Sequence, residues 1–274
     1  MKALAKWLCA IVVVFSLTGC IESKILIKVN TDGSGEIVET FLMSKEMLQM
    51  MAGLSALGEE GEEPEMPDLL DMDKLKEKTG TMGEGVTFAS AEKVSTDKAQ
   101  GYKAVYQFSD INKIMINQNP DENVPQPPAE GEDEPVKEFI TFKFAKGTKS
   151  KPAVLTIINP QKESRQEAVA PDKTAPISDQ EAMMMDIFKE TFRDMKIDVA
   201  VEVNGKIVKT NAEHVDGRRV VLMELDFSKI VENEEALRTL AMSKNESLEN
   251  TKAVMAKIPG IRVELKDKVE VQFK

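Results

Sequence analysis

The stretch on which the fold turns is Lys24-Ile25-Leu26-Ile27-Lys28-Val29-Asn30-Thr31-Asp32-Gly33-Ser34-Gly35-Glu36-Ile37-Val38-Glu39-Thr40-Phe41-Leu42. Two runs rich in β-branched and apolar residues, Lys24 to Val29 and Glu36 to Leu42, flank Asp32-Gly33-Ser34-Gly35. Glycines in that position supply the positive φ that tight hairpin turns require, so the stretch predicts an antiparallel hairpin.

Downstream the same signals recur. Val86 to Val94, Tyr102 to Phe108, Glu138 to Phe144 and Val154 to Ile158 read as strands. Ile197, Val199, Val201 and Val203 alternate up to the turn Asn204-Gly205, and Val221, Met223, Leu225 and Phe227 alternate after Asp216-Gly217. The C-terminus, with Ile261, Val263, Leu265, Val269, Val271 and Phe273 on one face, predicts a long antiparallel strand kinked near Asp267.

Helices are fewer. Asp179 to Asp194 follows Ser178, which forms a capping box with Glu181, and its face Met184, Ile187, Phe188, Phe192 and Met195 repeats at helical spacing. Others are expected at Lys45 to Leu57, Asp68 to Lys78 and Glu232 to Lys257, the last stopped by Pro259-Gly260. The class is α+β, a curved antiparallel sheet with inserted helices.

Upstream of the hairpin, Lys2 and Lys6 precede an apolar run, Leu8 to Leu17, too short for a stable membrane span. It ends in Leu17-Thr18-Gly19-Cys20, which resembles a bacterial lipobox. Residues 1–19 are therefore expected to be a lipoprotein signal peptide, and Cys20 the lipidated first residue of a single domain, 20–274. Each buried methylene of a palmitate-type chain contributes about 0.8 kcal/mol, so two or more chains anchor stably. The first strand is expected four residues later, within roughly 15 Å of the anchor. Ile21 is not the Asp that resembles an inner-membrane retention signal, so the outer membrane is expected over the inner.

Removing nineteen residues from 274 leaves 255. The formal charge is -11, and losing Lys2 and Lys6 takes it to -13, which argues against nucleic acid as a partner. Acidic or Pro-bearing segments near 58–67, 118–137 and 160–177 read as mobile surface loops.

The chemistry available is narrow. Cys9 lies in the leader and lipid takes Cys20, so the mature chain has no thiol. His214 is the one histidine, too little for a zinc site and without a nucleophile elbow for hydrolysis. The one tryptophan is in the leader, and the two tyrosines, Tyr102 and Tyr106, are too few for sugar platforms. The acids Glu59 to Glu65 lack an EF-hand's spacing, and the methionine triplets Met47, Met50, Met51 and Met183, Met184, Met185 lack the His or Cys of copper export motifs. No catalytic residue, metal or cofactor is expected, and a carboxylate-based enzyme is the least favoured reading. Methionine fills irregular apolar space, so a lining of Met184, Phe188, Phe192, Val201, Met223 and Val271 could take a lipid or other apolar ligand. The alternative is a scaffolding lipoprotein that recruits a protein partner.

Taken with the Cys20 lipobox, two further stretches, Val29 to Gly35 and Val203-Asn204-Gly205-Lys206-Ile207-Val208-Lys209-Thr210-Asn211 with the strand Val220 to Phe227, make the chain resemble the LppM-like group of bacterial lipoproteins. That resemblance implies an α+β, lipid-binding-like fold with a hydrophobic cavity and no active-site residues to carry over. Relatives often have Pro where this chain has Asn204, and an aromatic where it has Met223.

Overall fold

The computed structural model describes residues 21–56, 68–117, 139–159, 189, 193–233, 256–258 and 260–274. The expected hairpin is formed by β1 (Ile21–Val29) and β2 (Gly35–Ser44), paired antiparallel from Ile21 opposite Met43 to Val29 opposite Gly35. Its turn is closed by the Asn30 N–H on the Ser34 carbonyl at 2.8 Å, and the Asp32 carboxylate accepts from the Ser34 hydroxyl at 2.7 Å. The two glycines serve different ends. Gly33 sits at φ 92, where a side chain is strained. Gly35 is needed for space, because a Cβ there would lie 1.9 Å from the Lys28 carbonyl oxygen and 2.6 Å from Cζ of Phe108. Gly35→Ala is expected to destabilise the protein by about 1–3 kcal/mol, read as a lower urea midpoint with an unchanged slope.

Around the hairpin the chain builds two sheets. The larger adds β3 (Thr87–Ser95), β4 (Ala99–Phe108), β8 (Lys196–Val203), β10 (Val215–Asp216), β11 (Arg219–Asp226) and β12 (Arg262–Val263). Its order is β10-β11-β8-β1-β2-β4-β3, with β12 also on β11. Every pairing is antiparallel except β1 with β8. The smaller sheet runs in the order β5-β6-β7-β13-β9, from Met115–Asn117, Phe139–Ala145, Ala153–Ile158, Lys268–Phe273 and Ile207–Thr210. The α+β class holds, with the strands divided between two sheets and one parallel pair at the centre.

Period-2 alternation explains how the sheets meet. Ile27, Val29, Ile37, Val201 and Val203 share one face of the larger sheet, and Ile140, Phe142, Leu155, Ile157, Val271 and Phe273 one face of the smaller; all are at most 3 % exposed and belong to one core. Helix α1 (Lys45–Ala56) follows β2 directly and packs Met47 and Met51 on that core, leaving Met50 53 % exposed.

Three expectations change. The helix from Asp68 is shortened to α2 (Met72–Glu77), because the Asp71 side chain caps it by accepting from the N–H groups of Asp73 and Lys74, and a 3-10 turn, Lys78–Thr81, follows. Asn204-Gly205 does not close a hairpin: β9 leaves β8 and pairs with β13 in the other sheet, and Lys206 and Lys274 exchange both backbone hydrogen bonds. A Cβ on Gly205 would meet the Lys274 carbonyl oxygen at 2.4 Å, so this glycine permits close backbone approach. The C-terminal strand is broken, not kinked, with β12 in the larger sheet and β13 in the smaller. Glu264, 2 % exposed, holds the break by accepting the N–H groups of Glu213 at 2.8 Å and Lys266 at 3.1 Å. Asp216-Gly217 makes the expected turn, with Gly217 at φ 65. The expected helices 179–194 and 232–257 lie, except for a few terminal residues and Lys189, outside the described residues, as do the loops 58–67, 118–137 and all of 160–177. A short helix, α3 (Phe227–Val231), is capped by Asp226.

Candidate functional site

The anchor end comes first. Residues 1–20 lie outside the described residues, but β1 starts at Ile21, the residue bonded to Cys20. The expected gap of four residues therefore vanishes, because Ile21-Glu22-Ser23 already pair with β2. In the order of the larger sheet β1 is the fourth of seven strands, the middle one. The strand that starts at the residue after Cys20 thus lies in the interior of the larger sheet, with a strand paired on either side. Nine extended residues carry the chain about 30 Å from that end to the hairpin turn. Among the described residues no helix is long and apolar enough to cross a membrane.

Of the six residues expected to line an apolar site, Met184, Phe188 and Phe192 lie outside the described residues. Val201 and Val271 are fully buried and Met223 is 8 % exposed. The structure brings these three into one cluster, Val201 and Met223 from the larger sheet and Val271 from the smaller, where their side chains are part of the shared core.

The most unusual buried chemistry was not anticipated. Glu39 lies on the core face of β2, between Ile25 of β1 and Ala104 of β4, and is 1 % exposed. Its carboxylate accepts from the Tyr102 hydroxyl at 3.0 Å and from Lys78 Nζ at 2.6 Å. Tyr106 stands two residues along β4, fully buried, and its ring meets Phe88 edge-on at 5.9 Å. Burial first, and then the negative charge of Glu39, pushes both phenols far above the ordinary tyrosine range. Such phenols act as hydrogen-bond donors and not as bases. The sequence carries a signal for this site: Glu39 shares strand parity with Ile37 and Phe41, so an acid occupies the apolar face.

At the far end of the hairpin is an open groove of about 570 Å³ lined by Lys28, Asn30, Ser34, Glu36, Glu202 and Arg218 among others. Its charges neutralise one another, Lys28 with Glu36 at 2.9 Å and Arg218 with Glu202 at 3.1 Å. On the face of β8 opposite Val199 and Val201, burial raises Asp198 above the ordinary aspartate value although the Arg219 guanidinium pairs with it. His214 is half-buried in the loop before β10, and its carbonyl accepts the Val221 N–H at 3.0 Å. Among the described residues no three of His, Cys, Asp and Glu gather as metal ligands would.

Fold and site together define a two-sheet α+β domain whose middle strand begins at the residue after Cys20. No family model matches the chain, and no curated protein matches it. Among solved structures it is similar to the NMR structure of the folded domain of Mycobacterium tuberculosis LppM, with a TM-score of 0.34 and 10% identity over 78% of this chain and 86% of that one. This is a weak likeness at the level of the fold and carries no functional argument.

Proposed function

We propose that this protein is a membrane-anchored lipoprotein of the bacterial envelope that works by binding and not by catalysis, held through acylated Cys20 and presenting a rigid two-sheet domain to a protein partner. The observation that carries the reading is the continuity of Cys20 with the middle strand, which leaves no linker between anchor and fold. The burial of Val201, Met223 and Val271 within the shared core supports a scaffold. With Cys9 in the leader and Cys20 acylated no free thiol remains, and this together with the single histidine supports a non-enzymatic role. Ile21 after the cysteine supports the outer membrane over the inner.

The test is Cys20→Ser in the native cell, followed by membrane fractionation and intact mass. Wild type is expected in the membrane fraction with the mass of its acyl chains at residue 20, and the variant is expected to lose both. Membrane retention by the variant, or a wild-type N-terminus without acyl mass, would sink the reading. A lipid ligand within the fold is the second reading, favoured by the thioether surface of α1, where Met47 and Met51 face the core and Met50 faces solvent. Mass spectrometry of gently extracted protein separates the two: a stoichiometric lipid besides the anchor selects the ligand reading, and an empty domain selects the scaffold.

A further inference from the structure

The lysines of this acidic chain are not evenly distributed. From Phe139 to Asn159 the sequence has four lysines, Lys143, Lys146, Lys149 and Lys151, and no acid, in a chain with 47 Asp and Glu. This run is β6, β7 and the turn between them. The register of the smaller sheet sets more lysines beside them. Phe273 pairs with Ala153 and with Ile207, which places Lys274 and Lys206 at the same end as the β6–β7 turn. Lys209 stands opposite Gln272, and Lys268 begins β13.

All eight of these lysines are exposed, and none has an ion-pair partner among the described residues. The larger sheet is organised differently: Lys24, Lys28, Lys103, Arg218 and Arg219 are each paired. Within the strands of the smaller sheet the one acid is Glu270, and its carboxylate accepts from the Gln272 side chain at 2.8 Å. At the rim Asp32 is held by Ser34. Lys146 feels the Asp32 carboxylate at the rim; like charge gathered on one face of a protein that is otherwise acidic repels itself and is complementary to an anionic partner.

The chemistry of the face narrows that partner. Between the lysines lie Thr141, Val154, Thr156 and Ile158, half-buried, and the face offers no exposed aromatic on which a sugar or base could stack. The cations are lysines throughout, with no guanidinium fork for bidentate phosphate recognition. The outermost strand, β9, has Lys206 immediately before it and Lys209 as its third residue, and exposes Val208 by 50 %. No strand pairs with its outer side among the described residues. An extended polypeptide can add there, hydrogen-bonding through its main chain while alternate side chains meet the lysines.

We infer that the lysine face of the smaller sheet, along the edge strand Ile207–Thr210, is a docking surface for an extended acidic polypeptide. The purified mature protein is titrated with fluorescein-labelled poly-L-glutamate by anisotropy at low and at raised salt. Binding is expected that weakens with salt. Lys206→Glu with Lys209→Glu should raise Kd by about tenfold or more. The control Lys74→Glu with Lys76→Glu on α2 has the same change in net charge and should move Kd by less than about twofold. If the reversed pair fails to fold, Lys206→Gln with Lys209→Gln serves, with a smaller loss expected. An equal loss in the control, tighter binding to polyphosphate or to phosphatidylglycerol vesicles, self-association without polyglutamate binding, or no binding at low salt would each overturn the inference. Because the assay reads the folded domain in solution, its failure is independent of whether Cys20 is acylated.

Discussion

Taken to about pH 11 while still folded, the mature protein is expected to show no phenolate absorbance at all. The chain has two tyrosines, and its only tryptophan, Trp7, falls in the expected signal peptide, so in a form that begins at Cys20 the phenolate signal belongs to Tyr102 and Tyr106. Both are buried, at 6 % and 0 % exposure, and both face the charge of Glu39. Ionising either would place a second negative charge in the core beside the first. The phenols therefore ionise on unfolding, and both should appear together in one step that coincides with loss of circular dichroism. Linkage gives the sign: with folded values raised, the native state holds protons that the unfolded state releases, so the contribution to stability is complete below about pH 10 and falls as pH rises further. Two tyrosines give a slope of about 2.7 kcal/mol per pH unit above that point. A gradual rise with a midpoint near pH 10 in protein that is still folded would show that the phenols reach water, and the closed polar site would have to be abandoned.

Why the tyrosines end up there is legible only in part from sequence. Turn chemistry and alternation are local, so the hairpin at Gly33, the turn at Gly217 and strands such as Lys196–Val203 follow from the residues alone. What fails is anything decided by a distant partner. Asn204-Gly205 has the composition of a hairpin turn, yet its glycine is there because the Lys274 backbone passes within reach of a Cβ. The C-terminal alternation continues through Leu265 as though one strand ran on, but Glu264 is buried to bind two backbone N–H groups, and Leu265 is left 41 % exposed. Alternation likewise cannot say which sheet a strand joins, so neither the division into two sheets nor the parallel pairing of β1 with β8 could be read from it.

The candidate site divides in the same way. Cys20 is legible as the last residue of a lipobox-like stretch, and the structure changes only its setting, from four residues ahead of the first strand to directly bonded to the middle one. Val201, Met223 and Val271 stand out in the sequence by apolar character and parity, which identify a core face but not whether that face is filled by protein or by ligand. Lysine segregation was hidden by net charge: -11 averages over the chain, and the basic face emerges only when register sets β6, β7, β13 and β9 side by side.

Removing the ammonium of Lys78 should cost about 3–5 kcal/mol, the expected result for Lys78→Met in urea unfolding at neutral pH. Lys78 is 39 residues from Glu39 in sequence and 2.6 Å from its carboxylate, with side chains 19 % and 1 % exposed. A pair so placed is not a screened surface contact, for which less than about 1 kcal/mol would be expected. Its loss leaves a carboxylate in the core beside two buried phenols, with the Tyr102 hydroxyl still donating to it. The second arm removes both charges: Glu39→Met with Lys78→Met should recover most of the loss, because apolar groups of similar volume need no compensating hydrogen bonds. The non-additivity of the cycle then measures the coupling directly. If the double variant is as unstable as the single, the polar cluster is required for packing in its own right, Tyr102 losing its acceptor at a cost equal to the charge. If Lys78→Met alone is nearly neutral, Glu39 is not held by this ion pair. In either case the strand affected is β2, hydrogen-bonded along its length to the strand that follows Cys20, so the loss should appear as unfolding of the larger sheet.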